Sequence, residues 1–383
     1  MGTYMKTKLG ILALVGLGLV NTAQAEINFN GFANLVAGTT GSKSDQLYGF
    51  DDNIDFKNGS LIALQASSDL GNGLGVTAQI ISRGNEDWDP TFEWAYISYD
   101  ATDNLRFLVG RQRVPFYMYS DFLDVSYAYP WITPPEGVYS VVFDTFDGVG
   151  AIYNTSLGEF DTTIHAMYGS NDDDFNLLGN DVSPDFNDLV GIAITVNREW
   201  LTLRGGYVQT EMNIPVDSLN PLITGWEAAG FQEVADNLKV EDDTGSFIEL
   251  GAQIDIGNFI AVAEFTQLDL EGTSLGDQDS FYVMGGYRLD SVLFHLTYGY
   301  DEAERHNFVA DVPTGVAPAL DFLILQTSAL IASQKEETNY YTLGLRWDFH
   351  DSAAFKLEYT DYTDDLNSNG DASLIRTAIV TVF

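Results

Sequence analysis

Cysteine is absent from the 383 residues, so the chain can build neither a disulfide framework nor a thiolate metal site. Positive charge is scarce: 17 Lys and Arg stand against 56 Asp and Glu, a formal net charge of −39. A surface this negative repels phosphate backbones instead of displacing their counterions, which excludes nucleic acid as a partner. Proline is sparse at 10 residues, whereas Gly (36), Phe (24) and Tyr (20) are frequent, a balance that favours strands. Beyond the N-terminus no apolar run approaches the roughly 20 residues a membrane-spanning helix needs. The nearest candidate, 316–332, is interrupted by Pro318, Asp321, Gln326 and Ser328. Disorder is excluded as well, because 45% of the residues are hydrophobic and 13% aromatic, enough to bury despite the charge.

The N-terminus carries an address. Lys6 and Lys8 precede an almost wholly apolar stretch from Leu9 to Val20, followed by an Ala-x-Ala site, Ala23-Gln24-Ala25, before Glu26. A basic segment, a short apolar segment and small residues at a cleavage point predict a secretory signal peptide over 1–25, with Met5 the better natural start. The rest, 26–383, is then one exported domain.

Period-2 segments bounded by turn residues predict sixteen strands, near 27–38, 60–69, 74–84, 92–100, 105–114, 147–155, 160–170, 188–196, 201–211, 244–256, 259–270, 280–289, 292–301, 338–349, 354–363 and 372–383. Most have about the length at which a tilted strand crosses a bilayer. Their connections alternate between tight turns, such as Gly71-Asn72-Gly73 and Gly257-Asn258, and long acidic loops. That alternation predicts an all-β fold: a sixteen-stranded antiparallel transmembrane β-barrel with short periplasmic turns and long external loops. Side-chain alternation agrees. In 338–349, Tyr341, Leu343, Leu345, Trp347 and Phe349 share one face, while Tyr340, Thr342, Gly344, Arg346 and Asp348 share the other. An apolar face opposite a charged one suits a barrel with lipid outside and water inside. Aromatics near strand ends (Phe92, Trp94, Tyr207, Tyr287, Tyr298, Trp347, Tyr359) are candidates for interfacial girdles. An open edge cannot sit in hydrocarbon, so 27–38 must pair with 372–383.

The third long connection is the richest in chemistry. Arg111 and Arg113 are two residues apart, so they share a face, and lipid is a costly place for them, about 2–4 kcal/mol each. They are followed by an acidic, aromatic loop containing Asp121, Asp124, Tyr129-Pro130-Trp131 and Pro135-Glu136-Gly137, with no Lys or Arg before Arg198. Gly110-Arg111 before the loop, Pro135-Glu136-Gly137 within it and the return strand Asp147 to Asn154 together resemble the Gram-negative general porins. The resemblance implies a usually trimeric barrel whose third loop, here about 115–146, folds inward to narrow the lumen. The C-terminal Phe383 resembles the ending read by the outer-membrane barrel-assembly machinery. Two features depart from enterobacterial porins: Gly137-Val138-Tyr139 follows the Pro-Glu pair, and the return strand has no arginine. The run Gly110-Arg111-Gln112-Arg113-Val114-Pro115-Phe116 also resembles the phosphate- and polyphosphate-selective porins.

The expected function is passive diffusion of small hydrophilic solutes and ions across the Gram-negative outer membrane, with a modest cation preference. The alternatives are an anion- or phosphate-selective porin, or a plugged structural or adhesive barrel. The expected pore-lining and constriction residues are Arg111, Arg113, Asp121, Asp124, Glu136, Arg83, Arg346 and Arg376, with Arg204, Arg288 and Lys356 also on the lumenal face, interleaved with Glu93, Glu249, Asp255, Glu264, Asp348 and Glu358. Arg111 and Arg113 are expected to face Asp121, Asp124 and Glu136 across the pore. Expected partners are outer-membrane lipid and lipopolysaccharide, the assembly machinery and two further copies of the chain. The four histidines (165, 295, 306, 350) show no metal-ligand spacing, and the carboxylates that His306 could meet, Asp301 and Glu304, are ordinary neighbours in so acidic a chain, so no enzyme is expected. No cofactor is expected either, although the acidic loops (Asp172-Asp173-Asp174, Glu241-Asp242-Asp243) are candidates for loose Ca2+ or Mg2+ binding. Segment 217–238 is expected to form a short amphipathic helix on the barrel mouth or a neighbouring subunit.

Overall fold

Residues that alternate between lipid-facing and water-facing side chains can satisfy their backbone groups only by pairing with neighbours on both sides, and in this chain they do so all the way round. The computed structural model describes residues 26–383 other than 44, 178, 179, 271, 272 and 274; the expected signal peptide lies outside the described residues. The strands are β1 (Ile27–Thr40), β2 (Leu61–Gly71), β3 (Leu74–Arg83), β4 (Pro90–Thr102), β5 (Leu105–Arg113), β6 (Thr145–Leu157), β7 (Phe160–Asn171), β8 (Phe175–Leu177), β9 (Asn180–Val182), β10 (Asp185–Arg198), β11 (Leu201–Asn213), β12 (Asp243–Ile256), β13 (Phe259–Asp269), β14 (Asp277–Leu289), β15 (Val292–Glu304), β16 (Glu336–His350), β17 (Ala353–Asp364) and β18 (Ala372–Val382). Sixteen of them form one closed antiparallel barrel, and β8 and β9 form a separate hairpin between β7 and β10. Each expected strand is present, most extended by one to three residues at the outer end.

The seam between the first and last strands closes from Phe32 opposite Val382 to Thr40 opposite Leu374. Below it, the Phe383 amide donates to the Gly31 carbonyl (2.9 Å) and the Gly31 amide to the Phe383 carbonyl (2.7 Å). The apolar face points out to lipid: Leu250, Leu343 and Ile379 are all half or more exposed.

One expected girdle residue moves. The β3–β4 register slips between Gln79–Trp94 and Ile80–Phe92, so Glu93 occupies the extra position of a bulge. Phe92 stays outside, but Trp94 joins Gln65 and Gln79 around a lumenal cavity.

Outside the barrel, the segment after β11 does turn helical, as α1 (Asn220–Ala229) and α2 (Gln232–Asp236), but it packs on a third helix that the sequence reading missed, α3 (Pro318–Ala332). The Trp226 indole N–H donates to Thr327 Oγ1 (2.8 Å) within a buried cluster of Val234, Leu238, Val309, Leu320 and Ile331. Pro318 does not break α3, because it stands in the first turn, where a missing N–H costs nothing. No helix among the described residues is long and apolar enough to cross a membrane, which says nothing against strands.

Because Phe383 supplies the last two bonds of the seam, its deletion or replacement by Asp should sharply lower the yield of folded barrel while export continues. The heat-modifiable band on unboiled gels reads this; a normal yield would show that the terminal residue is dispensable for assembly.

Candidate pore constriction

The loop between β5 and β6 enters the lumen because β5 leaves its neighbour early. The β4–β5 ladder ends with Ala95 opposite Arg111, whereas β5 continues to pair with β6 up to Arg113 opposite Thr145. Gly110, at φ +125°, sits just before the parting, where a Cβ would collide with the Ala95 carbonyl oxygen. Arg111 and Arg113 do share a face, but it is the face of Phe107 and Val109, which point to lipid. The separation of β5 from β4 leaves the end of that face to the carboxylates of the loops, so the arginines meet acids instead of hydrocarbon.

From there the loop crosses to the opposite wall and is bound along it. Arg204 donates to the Pro115 carbonyl (2.7 Å), and the Met118 amide donates to Glu264 (2.8 Å). Tyr139 and Tyr282 donate their hydroxyls to the other oxygen of Glu264 (2.7 and 2.9 Å). Trp131 donates its indole N–H to Thr297 (2.8 Å), and the Ile132 amide donates to Glu358 (2.7 Å). The firmest tie is Lys356. Fully buried, its ammonium shares its three protons among the carbonyls of Ser126 (2.5 Å), Tyr129 (2.9 Å) and Trp131 and Ser126 Oγ (3.0 Å). A buried cation needs its protons satisfied, and here the backbone of the loop does so. Around these bonds Phe116, Tyr117, Tyr119, Tyr129 and Trp131 form one packed aromatic core with Phe247 and Tyr282 of the wall.

The expected site residues do not form a single facing pair of rows. Asp124 holds the centre: it accepts from Arg113 (2.5 Å) and Arg83 (3.1 Å), while its own carbonyl accepts from the Asn34 side chain (3.0 Å). Burial disfavours its charge, but Arg113 and Arg83 outweigh this and hold its pKa below the ordinary Asp range. Arg113 also pairs with Asp144, and Arg83 with Glu93. Arg111 meets neither Asp121 nor Glu136, contrary to expectation; it bonds Asp147 (3.1 Å), Thr145 (3.0 Å) and Asp173. Glu136 pairs with Arg376 (3.3 Å), which also holds Glu358 (3.1 Å). Asp121 is exposed and none of these arginines is bonded to it. Arg346 lies on the periplasmic side, between Asp348 (2.8 Å) and the Tyr129 carbonyl (2.9 Å).

The partners Asp144 and Asp173 escaped the sequence reading, since nothing in spacing says which loop acid a wall arginine meets. Asp173 belongs to the expected cation-binding run, yet it is turned inward to Arg111. Among the described residues no three acidic or histidine side chains converge as a metal site.

Open space lies on the β1–β5 side. A cavity of about 600 Å3 is lined by Arg83, Glu93, Arg111, Asp124, Asp144 and Asp173, among others. A second, of about 430 Å3, lies among Asn34, Arg83, Asp124 and Glu136. A third, of about 490 Å3, lies below, among Gln65, Gln79, Trp94 and Val125. Asp124 and Val125 therefore stand between the outer and the periplasmic spaces.

Lys356→Met should free the loop from its wall. Loss of hydrogen bonds from a charged donor predicts destabilisation by about 2–3 kcal/mol, read as a lower unfolding midpoint together with faster protease cleavage within 115–144. Unchanged values for both would show that Lys356 does not anchor the loop.

Comparison with known proteins agrees with this architecture. The family profile of Gram-negative porins matches residues 11–368. No curated protein sequence matches. Among solved structures, the chain is similar to Salmonella typhi OmpF in complex with daunomycin (12% identity, TM-score 0.60, covering 94% of this chain and 98% of that one). It is also similar to the outer membrane channel DcaP of Acinetobacter baumannii (14%, 0.59, 96% and 99%) and to an anion-selective porin from Comamonas acidovorans (12%, 0.56, 94% and 100%). At such identities these likenesses speak for the fold alone, a porin-like barrel; the match along nearly the whole sequence speaks for the family. This chain belongs to the Gram-negative porins, the β-barrel diffusion channels of the outer membrane.

Proposed function

We propose that this porin passes small hydrophilic solutes with a modest preference for cations, and that it works as a homotrimer, as porins typically do. The observation that carries the preference is the lining of the 600 Å3 space beside the loop: Arg83 and Arg111 face Glu86, Glu93, Asp124, Asp144, Asp173 and Asp174. The cationic groups that could guide anions are mostly engaged elsewhere. Arg204, Lys356 and Arg376 hold the loop from behind, and Arg113 is buried between two aspartates. A net charge of −39 adds a negative potential at the mouths that enriches cations. Beyond about 8 Å at physiological salt that potential is screened, so the preference should grow as salt is lowered.

Conductance steps in planar bilayers test the channel, and the reversal potential under a salt gradient tests its sign. Arg113→Ala, which leaves Asp144 unpaired and Asp124 with Arg83 alone, should raise conductance and cation preference, while Asp124→Asn should lower the preference. Because Asp124 is held ionised, its contribution should survive a change from pH 7 to about pH 5, still above the ordinary Asp value of about 3.9, and be lost only as the pH falls through its depressed pKa. An anion-selective reversal potential abolished by replacing Arg111 and Arg113 with Ala would establish the phosphate-type alternative instead. A purified barrel without conductance steps would favour a plugged, structural role. Cross-linking that yields monomers alone would remove the trimer.

A further inference from the structure

The lumen has a second compartment that a passage for hydrophilic solutes does not need. On the far side of the loop, toward the outer mouth, the inward faces of β10 to β13 carry Phe186, Leu189, Val208, Met212, Phe247 and Leu268, where the inward side of a water-filled barrel is ordinarily polar. Loop residues 141–143 and Phe175 and Leu177 of β8 bound this space, an apolar cavity of about 260 Å3. At its rim, just beyond the outer end of β15, stands Arg305, with Gln334 beside it.

Arg305 differs from the arginines of the constriction. Each of those is bonded to at least one carboxylate, whereas among the described residues no carboxylate lies within ion-pair distance of Arg305, and its Nε and Nη1 are buried without a hydrogen-bond acceptor. Its stem passes close over Gly276, where a Cβ would stand 3.1 Å from Cγ. Burial pushes its pKa down to about 10, against the pull of Asp277, and it still carries its charge at neutral pH. Asp277 itself is occupied in accepting from the Leu270 amide (2.9 Å). A desolvated guanidinium with free donors is a site for an oxyanion, and carboxylate matches its fork.

We infer that this cavity binds an amphipathic monocarboxylate, its apolar body among Phe186, Val208, Met212 and Leu268 and its carboxylate on Arg305. The volume is small for a ligand site, which ordinarily spans roughly 300–1,000 Å3, so a medium-length aliphatic or single-ring aromatic acid fits better than a long lipid. One head group is favoured because there is one cation; a second negative charge would meet Asp277, Glu304 and the acidic loops. The site lies off the hydrophilic path, so it gives the channel a solute class that ion-selective diffusion alone does not. This inference rests on the channel reading for its transport role but not for binding.

Sodium octanoate, below its micellar concentration, is the probe, with octanamide as the uncharged control. The unfolding temperature of the purified wild-type barrel should rise with octanoate and much less with octanamide, since a ligand that binds only the folded state stabilises it. In Arg305→Gln the octanoate concentration needed for the same rise should increase at least about tenfold, as expected for loss of a charge-assisted hydrogen bond. Leu268→Asn, which leaves the arginine in place, should weaken both ligands. No rise with octanoate, an equal rise with octanamide, or an unchanged response in Arg305→Gln would overturn the inference. The thermal readout works whether or not the barrel conducts, so its failure is distinct from failure of the channel reading; the octanoate–octanamide difference in the wild type needs no variant to fold.

Discussion

Backbone amides and carbonyls in hydrocarbon have no water to bond, and every feature of this porin follows from satisfying them within the chain. A sheet can do so only by closing, and closure demands that Ile27–Thr40 and Ala372–Val382, at opposite ends of the sequence, lie side by side. Once the ring is closed, period-2 alternation fixes the rest of the wall. Tyr341, Leu343 and Trp347 go to lipid because their neighbours Tyr340, Thr342 and Arg346 must go inward.

The pore is made where that rule is locally broken. Glu93 and Trp94 face inward one after the other because of the bulge, and Arg111 and Arg113, on a lipid-facing register, meet carboxylates because β5 parts from β4. The inserted loop then converts charges that strand alternation merely places inside into structural ties. Glu264, Glu358, Lys356 and Arg376 spend their hydrogen bonds on loop backbone and side chains, and a buried ion with all its partners present is tolerated where an unpaired one would not be. A count of lumenal charges is therefore a poor guide to what a permeating ion meets.

The loop also divides the interior by chemistry. On the β1–β5 side the space is lined by carboxylates and a few arginines; toward the outer mouth on the β10–β13 side it is apolar, with the guanidinium of Arg305 at the rim. The two sides impose different costs on a solute. The first leaves a hydrated ion its water and orients it by charge, and the second rewards the loss of water from an apolar body.

The sequence by itself determined the membrane-spanning wall, because the strand period, the strict alternation of short and long connections and the need for closure are local or global rules that require no knowledge of contacts. It also determined which residues of β16 and β12 face lipid, since a one-residue shift would put Arg346 or Glu249 there. Segment 217–238 showed its helical period too, but not its partner: α3 is apolar nearly all round, so no periodicity marked it, and Thr327 meets Trp226 only when two distant loops fold together. Contacts across the lumen were decided by tertiary structure alone. Asp121, Asp124, Glu136 and Asp144 are the same chemistry in one acidic loop, and Asp173 is the same chemistry in the next; only the paths of the loops assign Asp124 and Asp144 to Arg113, Glu136 to Arg376 and Asp173 to Arg111. Alternation fixes which way a side chain leaves a strand, whereas its partner depends on where the chain returns, and that is set by packing over the whole barrel.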